Sequence, residues 1–326
     1  MTSLSVLLPV YNAGPYLTDT LSSLLAQTHP ADQIVIINDG STDQSLEILQ
    51  QFQRKEARIQ LVCQDNFGVS AARNRGLTIC EGDFIALMDA DDICQPSRFA
   101  IQLEAMQKHR LDLCGSWLRT FGRKSREIRY PCCDAELKWN YLYLGRTLPN
   151  PTVMMRRQTL GATRYREGLA FAEDYGFFLD VLLGNPEMRL GNVPKVLLNY
   201  RTHAQQASQR LQEQNQRSIV DLLQHLLPKA GIQAKPAQLH AHYQVWQQQA
   251  PLSVTQLQDY LPLMSALSSW LSLHAPDRRL AAEHWTAVAK RHRTLGRNAH
   301  DLIAQAAGAC WPLSWRMVEQ LLARIG

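Results

Sequence analysis

The sequence predicts an α/β protein in which a mainly parallel sheet carries helices on both faces and is followed by a C-terminal helical region. Three observations predict it. Short apolar runs of buried-strand length alternate with stretches of helical period through the first third of the chain. Polar residues cluster where those apolar runs end. From about Ala204 onward the strand-like runs stop, and the chain reads as helical and richer in Gln, His and Trp.

LSVLLPV, Leu4 to Val10, is an apolar run of strand length. In AGPYLTDTLSSLLAQT, Leu17, Leu21, Leu24 and Leu25 recur at helical spacing, and Pro15 suits a first turn. QIVIINDG predicts a second strand. STDQSLEILQQFQ predicts a helix whose start carries Ser41 with Gln44 three residues on, the pattern of a capping box. IQLVCQ is the third strand, VSAARNRGLTIC a helix and DFIALMDA the fourth strand. The rhythm then loosens. QPSRFAIQLEAMQKH reads as a helix, DLCGSWLRTFG and NPTVMMRR as strands, AEDYGFFLDVLL as a helix and KVLLNYRTH as the last strand. A domain boundary falls near residues 203–215, dividing the chain into 1–205 and 206–326. The N-terminal run has no basic segment ahead of it and ends at Pro9, so it reads as a strand and not as a signal peptide. No apolar run approaches the roughly 18 residues of a membrane-spanning helix.

Composition excludes some classes. A chain of 326 residues with 45% hydrophobic content can build a substantial core, and a net charge of +5 is mild. The first 200 residues hold no dense Lys/Arg run with interleaved aromatics, which argues against a nucleic-acid partner. The seven cysteines form no C-x-x-C pair and read as core fillers in a reducing cytosol; adjacent Cys132 and Cys133 have the wrong spacing for zinc. No Gly-x-Gly-x-x-Gly follows the first strand and no Gly-Lys-Ser/Thr loop is present, so neither a dinucleotide dehydrogenase nor a P-loop ATPase is expected.

The segment FIALMDADDI runs an apolar strand into Asp89, Asp91 and Asp92. Buried carboxylates without partners are costly, so a cation or water is required there. On a strand, Asp89 and Asp91 at i and i+2 would point the same way, with Ala90 too small to intervene. Two convergent carboxylates make a half-site for Mg²⁺ or Mn²⁺, completed by phosphate oxygens and water. Asp92 is expected to start the turn and cap the helix near Pro96. An EF-hand reading fails, because Cys94 and Ala100 stand where Gly and Glu are needed.

The ordered segments LSVLLPVYNAGPYL, IVIINDGSTDQS, SAARNRGL and FIALMDADD, with the later FAEDYGFFLDVL and LLNYRTH, resemble the inverting family 2 glycosyltransferases, whose nucleotide-sugar-binding domain has the GT-A fold. The resemblance covers roughly residues 3–205; residues 206–326 carry no such motif. It implies that Pro9 and Tyr11 line a uracil and ribose pocket, that Asp39 accepts from uracil N3–H, and that Arg73 lies near the base or phosphates. It makes Asp89 and Asp91 the D-x-D pair, Asp91 the direct ligand of Mn²⁺ or Mg²⁺, and His203 a group approaching the metal or pyrophosphate. Asp174 matches the general base, Glu173 is left for acceptor contacts or helix-terminus electrostatics, and Asn150 with Pro151 falls where acceptors bind. The implied partners are a UDP-sugar donor and a glycan or lipid-linked acceptor, in the cytoplasm or at the inner face of the membrane. The basic, Trp-bearing C-terminal third reads as a helical subdomain for packing or homo-oligomerisation, or as an interfacial membrane contact. A sugar nucleotidyltransferase would need a Gly-rich phosphate loop that PVYNAGPYL lacks, and a non-catalytic nucleotide-sugar-binding protein would show a broken base or D-x-D, which this chain does not.

Overall fold

Strand β1 (Leu4–Val10) is apolar at almost every position because both faces of the sheet are covered there, and Leu4, Val6, Leu7 and Leu8 have no solvent exposure. The computed structural model describes residues 2–169, 171–203, 212–247 and 250–310. The chain divides into two compact units, one of residues 1–133, 147–181 and 188–211, the other of residues 134–146, 182–187 and 212–326.

In the first unit, helix α1 (Gly14–Leu25) follows β1 and buries Leu17, Leu21 and Leu24 on one stripe, with Pro15 in its first turn. Each of those leucines contributes roughly 1.5–3 kcal/mol of burial. Strand β2 (Gln33–Asp39), helix α2 (Ser45–Lys55), strand β3 (Ile59–Gln64), helix α3 (Val69–Ile79) and strand β4 (Phe84–Leu87) complete the expected alternation. These four strands lie in the order β3-β2-β1-β4, all parallel. Helix α3 rests so close to the sheet that a Cβ on Gly76 would collide with Leu7. The capping box expected at Ser41 and Gln44 does not form. The helix begins at Ser45, whose N–H is taken by the Asp43 carboxylate at 2.9 Å, while the Ser41 hydroxyl accepts from Asn12 N–H.

The rest of the sheet is mixed. Strand β5 (Ile93–Cys94), helix α4 (Arg98–Lys108), strands β6 (Leu113–Gly122) and β7 (Arg126–Ile128), helix α5 (Asp134–Leu142), strand β8 (Met154–Arg156), helices α6 (Arg157–Leu160) and α7 (Glu173–Gly184) and strand β9 (Leu190–Thr202) follow in turn. Strand β8 pairs antiparallel with both β4 and β6, β6 runs parallel to β9, and β5 and β7 pair antiparallel to β9 and β6. Strand β9 begins five residues before the expected Lys195. Pro194, which cannot donate to a ladder, is accommodated where the β6–β9 register shifts between Ser116 and Trp117.

The second unit takes α5 from the middle of the chain together with α8 (Gln212–Leu226), α9 (Pro236–Trp246), α10 (Val254–His274), α11 (Arg278–Arg291) and α12 (Arg297–Cys310). Its helix starts are chemically marked. Ser253 and Gln256 form a reciprocal capping box on α10, and the Asp277 carboxylate accepts from the N–H groups of Arg279 and Leu280 on α11. None of the described helices is long and apolar enough to cross a membrane.

A buried polar relay crosses this unit. Trp246 Nε1–H donates to the Tyr260 hydroxyl at 2.9 Å, that hydroxyl lies 3.1 Å from His242 Nδ1, and His242 Nε2 lies 2.8 Å from the Leu142 carbonyl. A carbonyl only accepts, so Nε2 carries the proton and Nδ1 receives the tyrosine hydrogen. Burial pulls His242 down to about 4, opposed by its bond to Leu142, and burial does the same to His284. The unfolded chain, with ordinary histidines near 6.5, therefore binds more protons between these values. The share of stability that these two histidines contribute is complete above about pH 6.5 and is lost as pH drops towards 4, about 3 kcal/mol for His242 alone. Thermal unfolding followed at pH 7.5 and 4.5 is expected to show this loss, and His242→Phe is expected to flatten the pH dependence.

Candidate active site

The loops beyond the carboxyl ends of β1, β2 and β3 are locked together by side chains. Asn12, just past β1, adopts the left-handed region at φ 49°, which its short amide tolerates. Its Oδ1 accepts from Thr42 N–H at 2.8 Å and Asp43 N–H at 3.3 Å, binding the first loop to the second. Asp39, at the end of β2, is 3% exposed and accepts from the Gln64 amide at 2.7 Å, Phe67 N–H at 3.0 Å and Gly68 N–H at 2.9 Å. Those bonds use three of the roughly four acceptor positions of a carboxylate. Gly40 follows at φ 71°, where an added Cβ would stand 2.7 Å from Asn66 N. Pro9 is half-buried in β1 opposite Ile37, whereas the rings of Tyr11 and Phe67 stand 51% and 69% exposed.

The aspartate segment departs from expectation. Strand β4 ends at Leu87, so Asp89 and Asp91 stand in a loop and strand alternation does not orient them. Each carboxylate has its own partner. Asp89 lies 3.2 Å from Arg73 Nη2, and Asp91 Oδ2 lies 3.0 Å from His203 Nε2. Asp92 caps no helix: it is fully buried, its Oδ1 accepts Arg201 N–H at 2.8 Å, and α4 starts at Arg98 without a side-chain cap. Thr20 of α1 donates to the Asp92 carbonyl at 2.8 Å, and Arg201 Nε donates to the Asp91 carbonyl at 2.8 Å. Arg201 also reaches Asp19 at 3.2 Å and packs its guanidinium against the rings of Tyr16 and Phe121. The end of β9 is thereby fastened to the aspartate loop, which is how His203 comes beside Asp91.

Two buried residues below this loop were not legible as site residues. Arg98, with no solvent exposure, donates to the Leu87 carbonyl at 2.9 Å where the chain leaves β4. It also reaches Gln102 Oε1 at 3.0 Å, and the Gln102 amide ties the Cys114 and Thr152 carbonyls. A charged residue at a helix start reads in sequence as solvated; only the fold shows it inward.

A second group forms around Arg73, which is 5% exposed. Its Nη1 lies 2.9 Å from Glu173 Oε1, so one guanidinium joins the aspartate loop to the first turn of α7. Burial alone would lower the Arg73 pKa, but Asp89, Tyr165, Glu173 and Asp174 hold it above its ordinary value. Asp174 accepts Tyr175 N–H at 2.7 Å. Desolvation, with the neighbouring Glu173 charge, pushes its carboxyl up to about 6, and Arg73 opposes the rise. The structure thus brings Arg73, Asp89 and Glu173–Asp174 together, and pairs Asp91 with His203. Asn150 joins neither group: it opens a 3-10 turn before β8, is buried, and its Oδ1 has no hydrogen-bond partner among the described residues. Among the described residues no set of three or more His, Cys, Asp or Glu gathers closely enough to hold a metal ion alone. Asp91 and His203, 3.0 Å apart, bring together an oxygen and a nitrogen of the kinds that bind divalent cations.

A parallel sheet half with carboxylates and exposed aromatics at its strand ends, continued by a mixed half, fits the GT-A architecture that the sequence resemblance implies. The family model "Glycosyl transferase family 2" matches residues 5–162. A Haemophilus influenzae protein named as an uncharacterized glycosyltransferase is 31% identical over 183 residues, spanning 56% of this chain and 72% of that protein. The chain belongs to glycosyl transferase family 2. Among solved structures, Staphylococcus aureus TarS in complex with UDP-GlcNAc aligns with a TM-score of 0.62 at 16% identity, covering 94% of this chain and 91% of that one. The mannosyltransferase PcManGT of Pyrobaculum calidifontis, in complex with GDP-Man and Mn²⁺, aligns with a TM-score of 0.54 at 17% identity over 95% of this chain and 88% of that one. These two likenesses bear on the fold, and the family resemblance read from the sequence holds.

The Asp39 contacts generate a prediction. Asp39→Asn turns an NH₂ towards at least one N–H donor, so the variant is expected to lose about 1–3 kcal/mol in urea unfolding. An unchanged midpoint would show that the loop does not depend on this carboxylate.

Proposed function

We propose that this chain is a metal-dependent, inverting glycosyltransferase that moves a hexosyl or N-acetylhexosaminyl group from a UDP-sugar to a hydroxyl of a glycan or lipid-linked acceptor. The observation that carries the reading is the separation of two acidic groups with different tasks: Asp91 beside His203, and Asp174 with its carboxyl raised to about 6 beside the buried Arg73. The donor complex of TarS supports a UDP-sugar. The Mn²⁺ of PcManGT supports a divalent cation.

In this reading the exposed Tyr11 ring offers a face to the uracil, and the remaining acceptor position of Asp39 suits its N3–H. A divalent cation held by Asp91 and His203 would neutralise charge that develops on the departing nucleoside diphosphate. Asp174 takes the proton of the acceptor hydroxyl as that oxygen bonds to the anomeric carbon. The glycosidic C–O bond breaks and its electron pair leaves with the diphosphate. One displacement inverts the centre, so an α-linked donor gives a β-linked product. Arg73 keeps Glu173 engaged, which fits Glu173 to shaping the base's surroundings rather than to taking the proton.

Asp174→Asn is expected to keep donor affinity by calorimetry while lowering UDP release by about 10² or more. Loss of binding together with turnover would make Asp174 structural, and loss through Glu173→Gln alone would move the base to Glu173. Turnover requires Asp174 ionised, so the rate is expected to fall as pH drops below about 6. For the metal, EDTA is expected to abolish turnover and Mn²⁺ or Mg²⁺ to restore it, with no recovery of Asp91→Ala at any metal concentration; full turnover in EDTA contradicts the metal reading. UDP-sugar binding without any UDP release would favour a non-catalytic nucleotide-sugar-binding protein.

A further inference from the structure

We infer that Tyr165 is a positioning residue whose ring fixes the orientation in which α7 presents Glu173 and Asp174 to the Arg73–Asp89 pair. The inference deepens the transfer reading, on which it rests through Asp174 as base.

Tyr165 lies in the connection between α6 and α7 and is tied at both its backbone polar groups. Its N–H donates to Asn74 Oδ1 at 2.7 Å, and its carbonyl accepts from Asn74 Nδ2 at 2.9 Å. Asn74 directly follows Arg73 on α3, so the anchor and the cation share one turn of helix. The Tyr165 ring stacks on Phe177, with centroids 4.0 Å apart and planes 7° from parallel. The Arg73 guanidinium lies 5.3 Å from the same ring. Phe177 stands four residues after Glu173, one turn along the same side of α7. The contacts therefore close a circuit: Arg73 to Tyr165, Tyr165 to Phe177, one turn of α7 back to Glu173, and Glu173 to Arg73 at 2.9 Å. Rotation of the first turn of α7 breaks at least one of them.

Two further observations fit. Ala172, immediately before Glu173, holds φ 61°, a left-handed conformation that a non-glycine residue adopts only when its surroundings impose it. Its carbonyl accepts Gly176 N–H at 2.9 Å, so the strained residue forms part of the start of α7. The Tyr165 hydroxyl is buried and has no hydrogen-bond partner among the described residues. A buried hydroxyl out of reach of solvent does not meet a reactant, which assigns the role to the ring. The groups acting on Asp174 are Glu173 and the Tyr175 N–H on its own helix, Arg73 from α3 and Asp89 from the loop after β4, while Asp174 in turn acts on the buried Tyr165 hydroxyl.

The test compares Tyr165→Leu, which removes the ring, with Tyr165→Phe, which keeps it. Tyr165→Leu is expected to lower kcat at least tenfold, to change donor KM less than threefold, and to move the acid limb of the pH–rate profile upward as Arg73 loosens its hold near Asp174. Tyr165→Phe is expected to restore kcat to within twofold of wild type and to leave the acid limb in place. Hydrogen exchange gives a readout independent of turnover: the amides of Tyr175 to Phe178 are expected to exchange at least tenfold faster in Tyr165→Leu. If that variant does not fold, Asn74→Ser cuts both backbone ties while leaving the ring, with the same pattern expected at about threefold. Unchanged kcat, pH profile and exchange overturn the inference, and so does loss of turnover in Tyr165→Phe, which would make the hydroxyl a reacting group. A wild-type protein that releases no UDP counts against the transfer reading alone, because exchange still reads the positioning contacts.

Discussion

A guanidinium with 5% exposure has to be neutralised where it stands, and Arg73 meets Asp89 at 3.2 Å and Glu173 at 2.9 Å. Those partners lie 16 and 100 residues away in sequence, on the aspartate loop and on the first turn of α7. One cation therefore decides how far the aspartate loop stands from the candidate base. The planar fork of arginine can serve two carboxylates at once, which the point charge of a lysine does not reproduce. The same cation limits the rise of the Asp174 pKa, keeping it at about 6, where a carboxylate is ionised at neutral pH and still basic enough to accept a proton. Burial raises the basicity, and the cation that fixes the position also limits the rise.

The second constraint is the fastening of β9. Arg201 N–H meets the buried Asp92 carboxylate, and Arg201 Nε meets the Asp91 carbonyl. His203, two residues on, then falls beside Asp91 without needing a long loop of its own. Arg98 supports the loop from beneath by holding the Leu87 carbonyl. The aspartate loop is thus held from several sides, although it belongs to neither a strand nor a helix. Such holding would suit the proposed cation site at Asp91 and His203, where further ligands would come from outside the chain.

Much of the first unit was legible because its physics is local. Continuous apolar runs in Leu4–Val10 and Gln33–Asp39 report burial on both faces, and the helical spacing of Leu17, Leu21 and Leu24 reports one buried stripe. What escaped depends on distant partners. Asp92 reads as a cap because it precedes a helix, and only the approach of β9 turns it inward. The strand alternation assumed for Asp89 and Asp91 fails because β4 ends at Leu87. Helix α2 starts at Ser45 because Asn12 and Ala13 of the β1–α1 loop engage the Thr42, Asp43 and Ser45 segment. Tyr165 carries no signal at all in sequence: an aromatic in an irregular connection acquires meaning only from Asn74, Phe177 and Arg73 around it. Helix α5 falls inside the expected 1–205 domain, yet Trp139 Nε1–H donates to the Ala275 carbonyl and the Leu142 carbonyl accepts from His242 in the helical unit.

The dependence on Arg73 is open to one direct measurement, a double-mutant cycle of Arg73→Met and Glu173→Gln read by urea unfolding. The account predicts a coupling energy of about 1 kcal/mol or more, with the double variant less destabilised than the sum of the single ones, because each single change strands the other's partner. Additivity within about 0.3–0.5 kcal/mol would contradict it, since the two residues would then contribute independently and the site would not be organised around their contact.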